Sequence, residues 1–178
     1  MIALVGNLSL DVFPDRPPAV GGGPYHGARA LELLDVPARV AARCAVADRE
    51  TMLPPLVALG TPVDFVPGDR TASCAIDNEG DTRRMRLEVI GDSWEADDLP
   101  AFPPSTAWVH VAPLARTDFP ARTLAALARR HRISYDAQGL VRVPEVGPLR
   151  LDASFDPEVL RHISVLKVAE QELSLIHI

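Results

Sequence analysis

A chain of 178 residues, 47% hydrophobic and 24% charged, is long enough for one domain with its own core, and its composition excludes disorder and collagen-like or mucin-like repeats. The net charge of −6, with Lys167 the single lysine and the arginines scattered among acids, points away from nucleic acid. No apolar run approaches the ~18–20 residues of a membrane span, and Met1-Ile2-Ala3-Leu4-Val5 lacks the charged head and cleavage site of a signal peptide, so no membrane partner and a cytoplasmic location are expected.

Apolar strand-like runs alternate with helix-like runs from the first residue, which predicts βαβ units, a mainly parallel sheet and an α/β fold. Ile2-Ala3-Leu4-Val5, closed by Gly6-Asn7, reads as a buried parallel strand. Gly21-Gly22-Gly23-Pro24 then feeds a helix from Tyr25 to Leu34, with Ala30, Leu31 and Leu34 at helical spacing. A strand from Ala38 to Ala45, a helix from an N-cap at Asp48 to Gly60 and a strand from Val63 to Val66 follow.

Thr71 to Ile90 departs from this rhythm. Its two arms flank Asn78-Glu79-Gly80-Asp81, and the second alternates Met85, Leu87 and Val89 with Arg86 and Glu88. That pattern predicts a half-exposed antiparallel hairpin outside the main sheet. Gly91 to Ser105 reads as a polar, proline-rich linker. Beyond it come a strand from Ala107 to Val111 and a helix from Phe119 to His131. Asp118 is its expected N-cap, and Leu124, Leu127, Ala128 and His131 form its inward stripe. A strand from Ile133 to Asp136, a short helix from Asp156-Pro157 and a strand from Ile163 to Val168 complete the alternation. Residues 169–173 open another helix that stops within about a turn and a half, so the chain is expected to be the N-terminal portion of a larger domain, 1–173, with 174–178 a non-native tail. Cys44 and Cys74 lie in strand-like runs and read as buried free thiols.

The sequence holds no G-x-S-x-G, H-E-x-x-H or G-x-x-x-x-G-K-[ST] run and no Cys/His cluster, which removes the common hydrolase and zinc readings. Nor does the first strand lead into G-x-G-x-x-G, the dinucleotide fingerprint. Asp11 instead follows that strand, at the strand end where open α/β sheets bind ligands, and its carboxylate can accept two hydroxyl hydrogen bonds from a polyol. The alternative is a turn or a solvated loop. Gly22 and Gly23 let a ligand approach the backbone before a helix start, unless they form a plain loop. His26 offers a ring nitrogen or is a surface histidine. The other histidines, His110, His131, His162 and His177, show no ligand spacing and read as structural. Asp136 and Arg142 lie in a loop past a strand end, either facing the same cleft or forming a structural ion pair or an exposed loop.

Taken in order, V-G-N-L-S-L-D, G-G-G-P-Y-H-G-A-R-A-L, the hairpin with G-D-T-R-R, Y-D-A-Q-G-L-V-R and V-L-K-V-A-E-Q-E-L resemble the PfkB family of carbohydrate kinases. The resemblance implies a three-layer α/β/α Rossmann-like ribokinase fold with a small β-hairpin lid, about 71–90, over a sugar or related hydroxyl-bearing substrate. It also implies ATP and Mg²⁺ bound by a C-terminal part missing here. Asp11 matches the family aspartate that binds substrate hydroxyls, Gly22 and Gly23 match its substrate-loop glycines, and His26 stands where the family has Asn. In the N-x-x-E motif associated with Mg²⁺ and phosphate, Ala169 replaces Asn and Glu172 is kept, which leaves an indirect metal contact at Glu172. The family's G-A-G-D run with the catalytic aspartate is absent, so no catalytic residue is assigned in this chain and the chain alone is expected to be inactive. Too few residues separate Asp11 from Gly21 for a long lid segment, so the lid is expected to consist mainly of the hairpin and to serve as a homodimer contact. The competing reading is a non-catalytic binding or regulatory module of the same fold.

Overall fold

In the computed structural model the described residues are 1–79 and 82–176, with backbone alone at Glu79 and Thr82; the expected turn at Gly80-Asp81 and the end of the tail lie outside them. The elements are β1 (Ile2–Asn7), β2 (Ser9–Val12), β3 (Ala19–Gly21), α1 (Gly23–Leu33), β4 (Ala38–Ala45), α2 (Arg49–Met52), α3 (Pro54–Val57), β5 (Val63–Gly68), β6 (Ala72–Glu79), β7 (Thr82–Val89), β8 (Trp108–Val111), α4 (Ala121–Ala128), β9 (Arg132–Asp136), α5 (Gln138–Val141), β10 (Gly147–Pro148), β11 (Val165–Lys167) and α6 (Glu170–Leu173). A six-stranded sheet, wholly parallel, runs in the order β11-β9-β8-β1-β4-β5. The chain builds outward from β1 through β4 and β5, then returns to β1's other edge with β8, so the strand order reverses between β1 and β8. Crevices beyond the carboxyl ends of strands at such a reversal are where open α/β sheets hold ligands.

Successive residues of β1 serve opposite faces of the sheet because side chains alternate along a strand. Ala3 and Val5 join one core with Val109, Val111, Ile133 and Tyr135, covered by α4, Phe119 and Trp94. Leu4 joins the other with Val40 and Ala42, covered by Ala28 of α1 and by Met52 and Leu56. Both faces of β1 are therefore dry, which is why the strand reads as a continuous apolar run.

The hairpin forms as the alternation requires, with Leu87 buried and Arg86 and Glu88 exposed. It is the centre of a second, five-stranded sheet in the order β10-β7-β6-β2-β3. The stretch between Asp11 and Gly21, too short for a long lid segment, still adds two short strands beside the hairpin. β2 and β3 pair antiparallel with Ser9 opposite Gly21 and Asp11 opposite Ala19, and β2 runs parallel to β6 with Asp11 beside Cys74. A short excursion suffices because the chain crosses from one sheet to the other at Leu8 alone, whose N–H donates to the Arg43 carbonyl at 2.8 Å.

Several local expectations are also corrected. The residues 91–105 are no simple linker: Trp94 is 0% exposed, stacks on Phe119 at 5.6 Å and donates its indole N–H to Asn7 Oδ1 at 3.0 Å. Helix α4 starts after Pro120 and buries Thr123 with Leu124 and Leu127, while Ala128 is exposed. Leu34 ends α1 in solvent, and Pro24 and Ala28 are that helix's buried residues. Asp48 is the N-cap residue of α2, but its side chain accepts from the Thr71 hydroxyl at 2.5 Å and makes no capping bond. Asp156 does accept the Glu158 N–H, at the head of a 3₁₀ helix over Pro157–His162. Both cysteines are buried free thiols, and burial pushes Cys44 up to about 11. Among the described residues no helix is long and apolar enough to cross a membrane.

Candidate functional site

A cavity of about 280 Å³ lies between the carboxyl ends of β1, β8 and β9 and the inner face of the second sheet. That is near the lower bound of ligand pockets, roughly 300 Å³, and suits a small molecule. Its roof is apolar, supplied by Ile76, Met85 and Leu87 of the hairpin; its floor is polar.

Asp11, Gly22, Gly23 and His26 all line this one space, although they belong to β2, the turn after β3 and the start of α1. Asp11 is in a strand of the second sheet and not in a loop. The Ser9 hydroxyl donates to its Oδ1 at 2.7 Å, which fixes the carboxylate and leaves Oδ2 as an acceptor. Packing holds it as well: a Cβ built on Gly21 would stand 2.2 Å from Oδ2, so the carboxylate rests on the bare backbone of the paired strand. Gly22 has φ 93°, a left-handed conformation that L side chains rarely adopt, and a Cβ there would come 2.5 Å from the Asn7 carbonyl. Only glycine turns the chain tightly enough to bring the α1 N-terminus to the cavity. His26 sits on the exposed side of that first turn, its ring 5.5 Å from Tyr25.

Asp136 and Arg142, left open between cleft and structural pair, both face the cavity and are not paired with each other. Asp136 holds Lys167 at 3.0 Å. Glu172 is set apart: it does not line the cavity, and its Oε2 accepts the Ala169 N–H at 2.8 Å, capping α6. Among the described residues no group of three or more His, Cys, Asp or Glu side chains is arranged to hold a metal ion. The residues present thus do not make a magnesium centre by themselves.

Asp118, which the sequence suggests as an N-cap, is instead a buried member of the cavity wall. It is 1% exposed, accepts the Leu114 N–H at 2.8 Å, and burial pushes its carboxyl up to about 6. Pro120 starts α4 two residues later, leaving Asp118 free to turn back under β8's loop. Gln138 was also missed; its side chain donates to the Pro113 carbonyl at 2.5 Å and joins the β8 and β9 loops at the cavity. Gln138 lies in the Y-D-A-Q-G-L-V-R run but its partner Pro113 is 25 residues away, whereas Asp118 turns to Leu114 only four residues back, a contact that competes with the cap role.

No family profile matches the chain, and no curated protein does. Solved structures do. A pyrophosphate-dependent kinase in the ribokinase family, in its sulfate complex, is 30% identical over 99% of this chain and 65% of its own, with a TM-score of 0.86. The chain has the ribokinase-like fold of the PfkB carbohydrate kinases. A ribokinase-family pyrophosphate-dependent kinase complexed with a pyrophosphate analog and myo-inositol matches at 30% identity, 99% of this chain, 64% of its own and TM-score 0.84. Fructokinase from Vibrio cholerae O395, bound to fructose, ADP and calcium, matches at 20% identity, 97% of this chain, 61% of its own and TM-score 0.69, a likeness of fold. This ribokinase-like chain thus spans slightly less than two thirds of the lengths of these kinases.

Proposed function

We propose that the protein containing this ribokinase-like chain phosphorylates a hydroxyl of a small polyol, a sugar or a cyclitol, and that this chain supplies the acceptor half of the site. The observation that carries the reading is Asp11: a carboxylate fixed by Ser9 and by Gly21, with one oxygen free, inside a small cavity at the strand ends. A carboxylate so held accepts hydroxyl hydrogen bonds and orients the attacking oxygen, and such positioning is a large part of phosphoryl-transfer catalysis. Gly22 and Gly23 give the substrate access to backbone, and His26 adds a ring nitrogen at the rim. The second sheet acts as a lid whose apolar face excludes water that would consume the donor. The proton acceptor and the phosphate-binding groups lie outside this chain on this reading.

The donor is ATP with Mg²⁺ on the family resemblance; pyrophosphate is the second reading, favoured because the two kinases at 30% identity are pyrophosphate-dependent. The test is an acceptor screen on the full-length protein, sugars and inositols against ATP–Mg²⁺ and against pyrophosphate–Mg²⁺. Turnover with one donor and a polyol is the expected result. Specific polyol binding without turnover with either donor would refute the kinase reading and leave the non-catalytic module.

A further inference from the structure

The second sheet is joined to the main sheet along one row. The chain passes between them next to Ser9, Gly21, Ala72 and Val89, and these residues are register neighbours: Ser9 stands opposite Gly21 and beside Ala72, and Val89 is opposite Ser73. A single row acts as a hinge, so the part of the sheet beyond it needs a brace to fix its height over the cavity. Residues 142–154 supply one. They leave the floor after α5 and fold back on themselves as a ribbon, with Arg142 bridged to Leu151 and the Val143 N–H donating to the Arg150 carbonyl at 3.0 Å. At the tip, Gly147 and Pro148 of β10 pair with Leu87 and Arg86, and the Leu149 N–H donates to the Met85 carbonyl at 2.9 Å. This grip lies about 7–13 Å along β7 from the hinge row, on the strand whose Met85 and Leu87 roof the cavity. Leu149 packs against the core of the second sheet and Leu151 against that of the main sheet, so the ribbon ties the two cores together.

The base of the ribbon is locked from the cavity wall. Arg116 belongs to the β8 loop that also carries Leu114, Ala115 and Asp118 of the lining. Its side chain donates to the Asp152 carboxylate at 2.5 Å, to the Val141 carbonyl at 3.2 Å and to the Ser154 carbonyl, and its backbone N–H donates to the Arg142 carbonyl at 3.3 Å. That side chain is only 16% exposed, so its charge-assisted bonds are shielded from water and hold both feet of the ribbon at one point. We propose that Arg116 is a positioning residue: it anchors the ribbon of residues 142–154, and the ribbon holds the second sheet down over the acceptor cavity. Arg116 touches no ligand and acts through the ribbon. The effect on the acceptor rests on the kinase reading; the bracing of the sheet does not.

Two thiols report on the brace. Cys74 faces the cavity from the second sheet, whereas Cys44 lies in the main-sheet core with Val40, Met52 and Leu56, and both are buried. Lifting the second sheet uncovers Cys74 alone; general unfolding uncovers both. The experiment is labelling of the full-length protein with N-ethylmaleimide, the two cysteine peptides quantified by mass spectrometry, beside acceptor kinetics. Arg116→Gln is expected to label Cys74 at least about tenfold faster, as the loss of one charge-assisted bond implies, with Cys44 unchanged. Arg116→Lys keeps the charge without the fork and should fall between. Gly147→Val acts at the other end, where φ is 132° and a side chain is strained. It should also speed Cys74, and the double variant should gain little more, because both act through one ribbon. In Arg116→Gln the acceptor KM should rise about tenfold with the donor KM unchanged. If Cys74 and Cys44 accelerate together, or neither accelerates, the brace is overturned. Faster Cys74 labelling with an unchanged acceptor KM overturns the positioning role. Faster labelling of Cys74 alone, in a protein with no phosphotransfer, supports the brace and refutes the kinase reading. Turnover with labelling and KM equal to those of the unsubstituted protein overturns the brace and leaves the kinase reading intact.

Discussion

Replacing Gly21 with alanine should disable the acceptor site without touching any polar group in it. The new methyl would lie 2.2 Å from Asp11 Oδ2, 2.5 Å from its carboxyl carbon and 2.8 Å from Oδ1, where ordinary contact begins at 3.4 Å. The carboxylate must therefore retreat by about 1.2 Å, and a misplacement of about 1 Å at a positioned group costs on the order of 10²-fold in rate. Gly21 is opposite Ser9 in the β2–β3 ladder, so a retreating carboxylate also loses its 2.7 Å bond from the Ser9 hydroxyl. Stability should fall less, by about 1 kcal/mol, because the half-buried Asp11 side chain can rotate away to admit one methyl. The assay is steady-state phosphotransfer by the full-length protein with the acceptor found in the screen, beside a thermal melt. A Gly21→Ala protein with unchanged kcat/KM would refute the placement of Asp11 against the acceptor. A protein that fails to fold would refute the claim that only the carboxylate is displaced.

Asp11→Asn should lower kcat/KM for the acceptor more than tenfold, about 1.4 kcal/mol or more, with the melting temperature little changed, because the amide keeps one acceptor oxygen and turns the other into a donor. Trp94→Phe should destabilise the chain by about 1–3 kcal/mol in urea titration, since Asn7 Oδ1 loses its indole donor while the stack on Phe119 survives. Asp118 gives a pH signature. Its folded carboxyl titrates at about 6 against an ordinary 3.8, so the folded state holds the proton more tightly. The stability it contributes is complete below about pH 4 and is lost as pH rises through about 6; Asp118→Asn should flatten that slope in denaturation measured from pH 4 to 7. Finally, the 178-residue chain purified alone should show no phosphotransfer with ATP–Mg²⁺ or pyrophosphate–Mg²⁺ in a coupled assay. Turnover at roughly 1 s⁻¹ would put the proton acceptor among its own residues.

The parallel sheet and the hairpin were legible because their signals are local. β1 is a short unbroken apolar run since both its faces are buried, and β7 alternates since one face lines the cavity and the other meets water. Asp11 and the glycines were legible because they lie within sixteen residues of the end of β1 and match a family order. What escaped depends on which contacts the folded chain offers. Trp94 sits in a stretch of prolines and acids that reads as linker, and it is core only because Asn7 and Phe119, distant in sequence, close around it. Asp118 carries the local mark of a helix cap, yet the β8 loop offers its carboxylate the Leu114 N–H and folds it inward. Asp136 and Arg142 share a short motif that cannot say whether they pair with each other; Lys167 arrives on β11, takes Asp136 and leaves the guanidinium to the cavity. Strand periodicity reports which face is dry, a property each residue carries with it, whereas the partner of a polar group is set by which strand lands beside it.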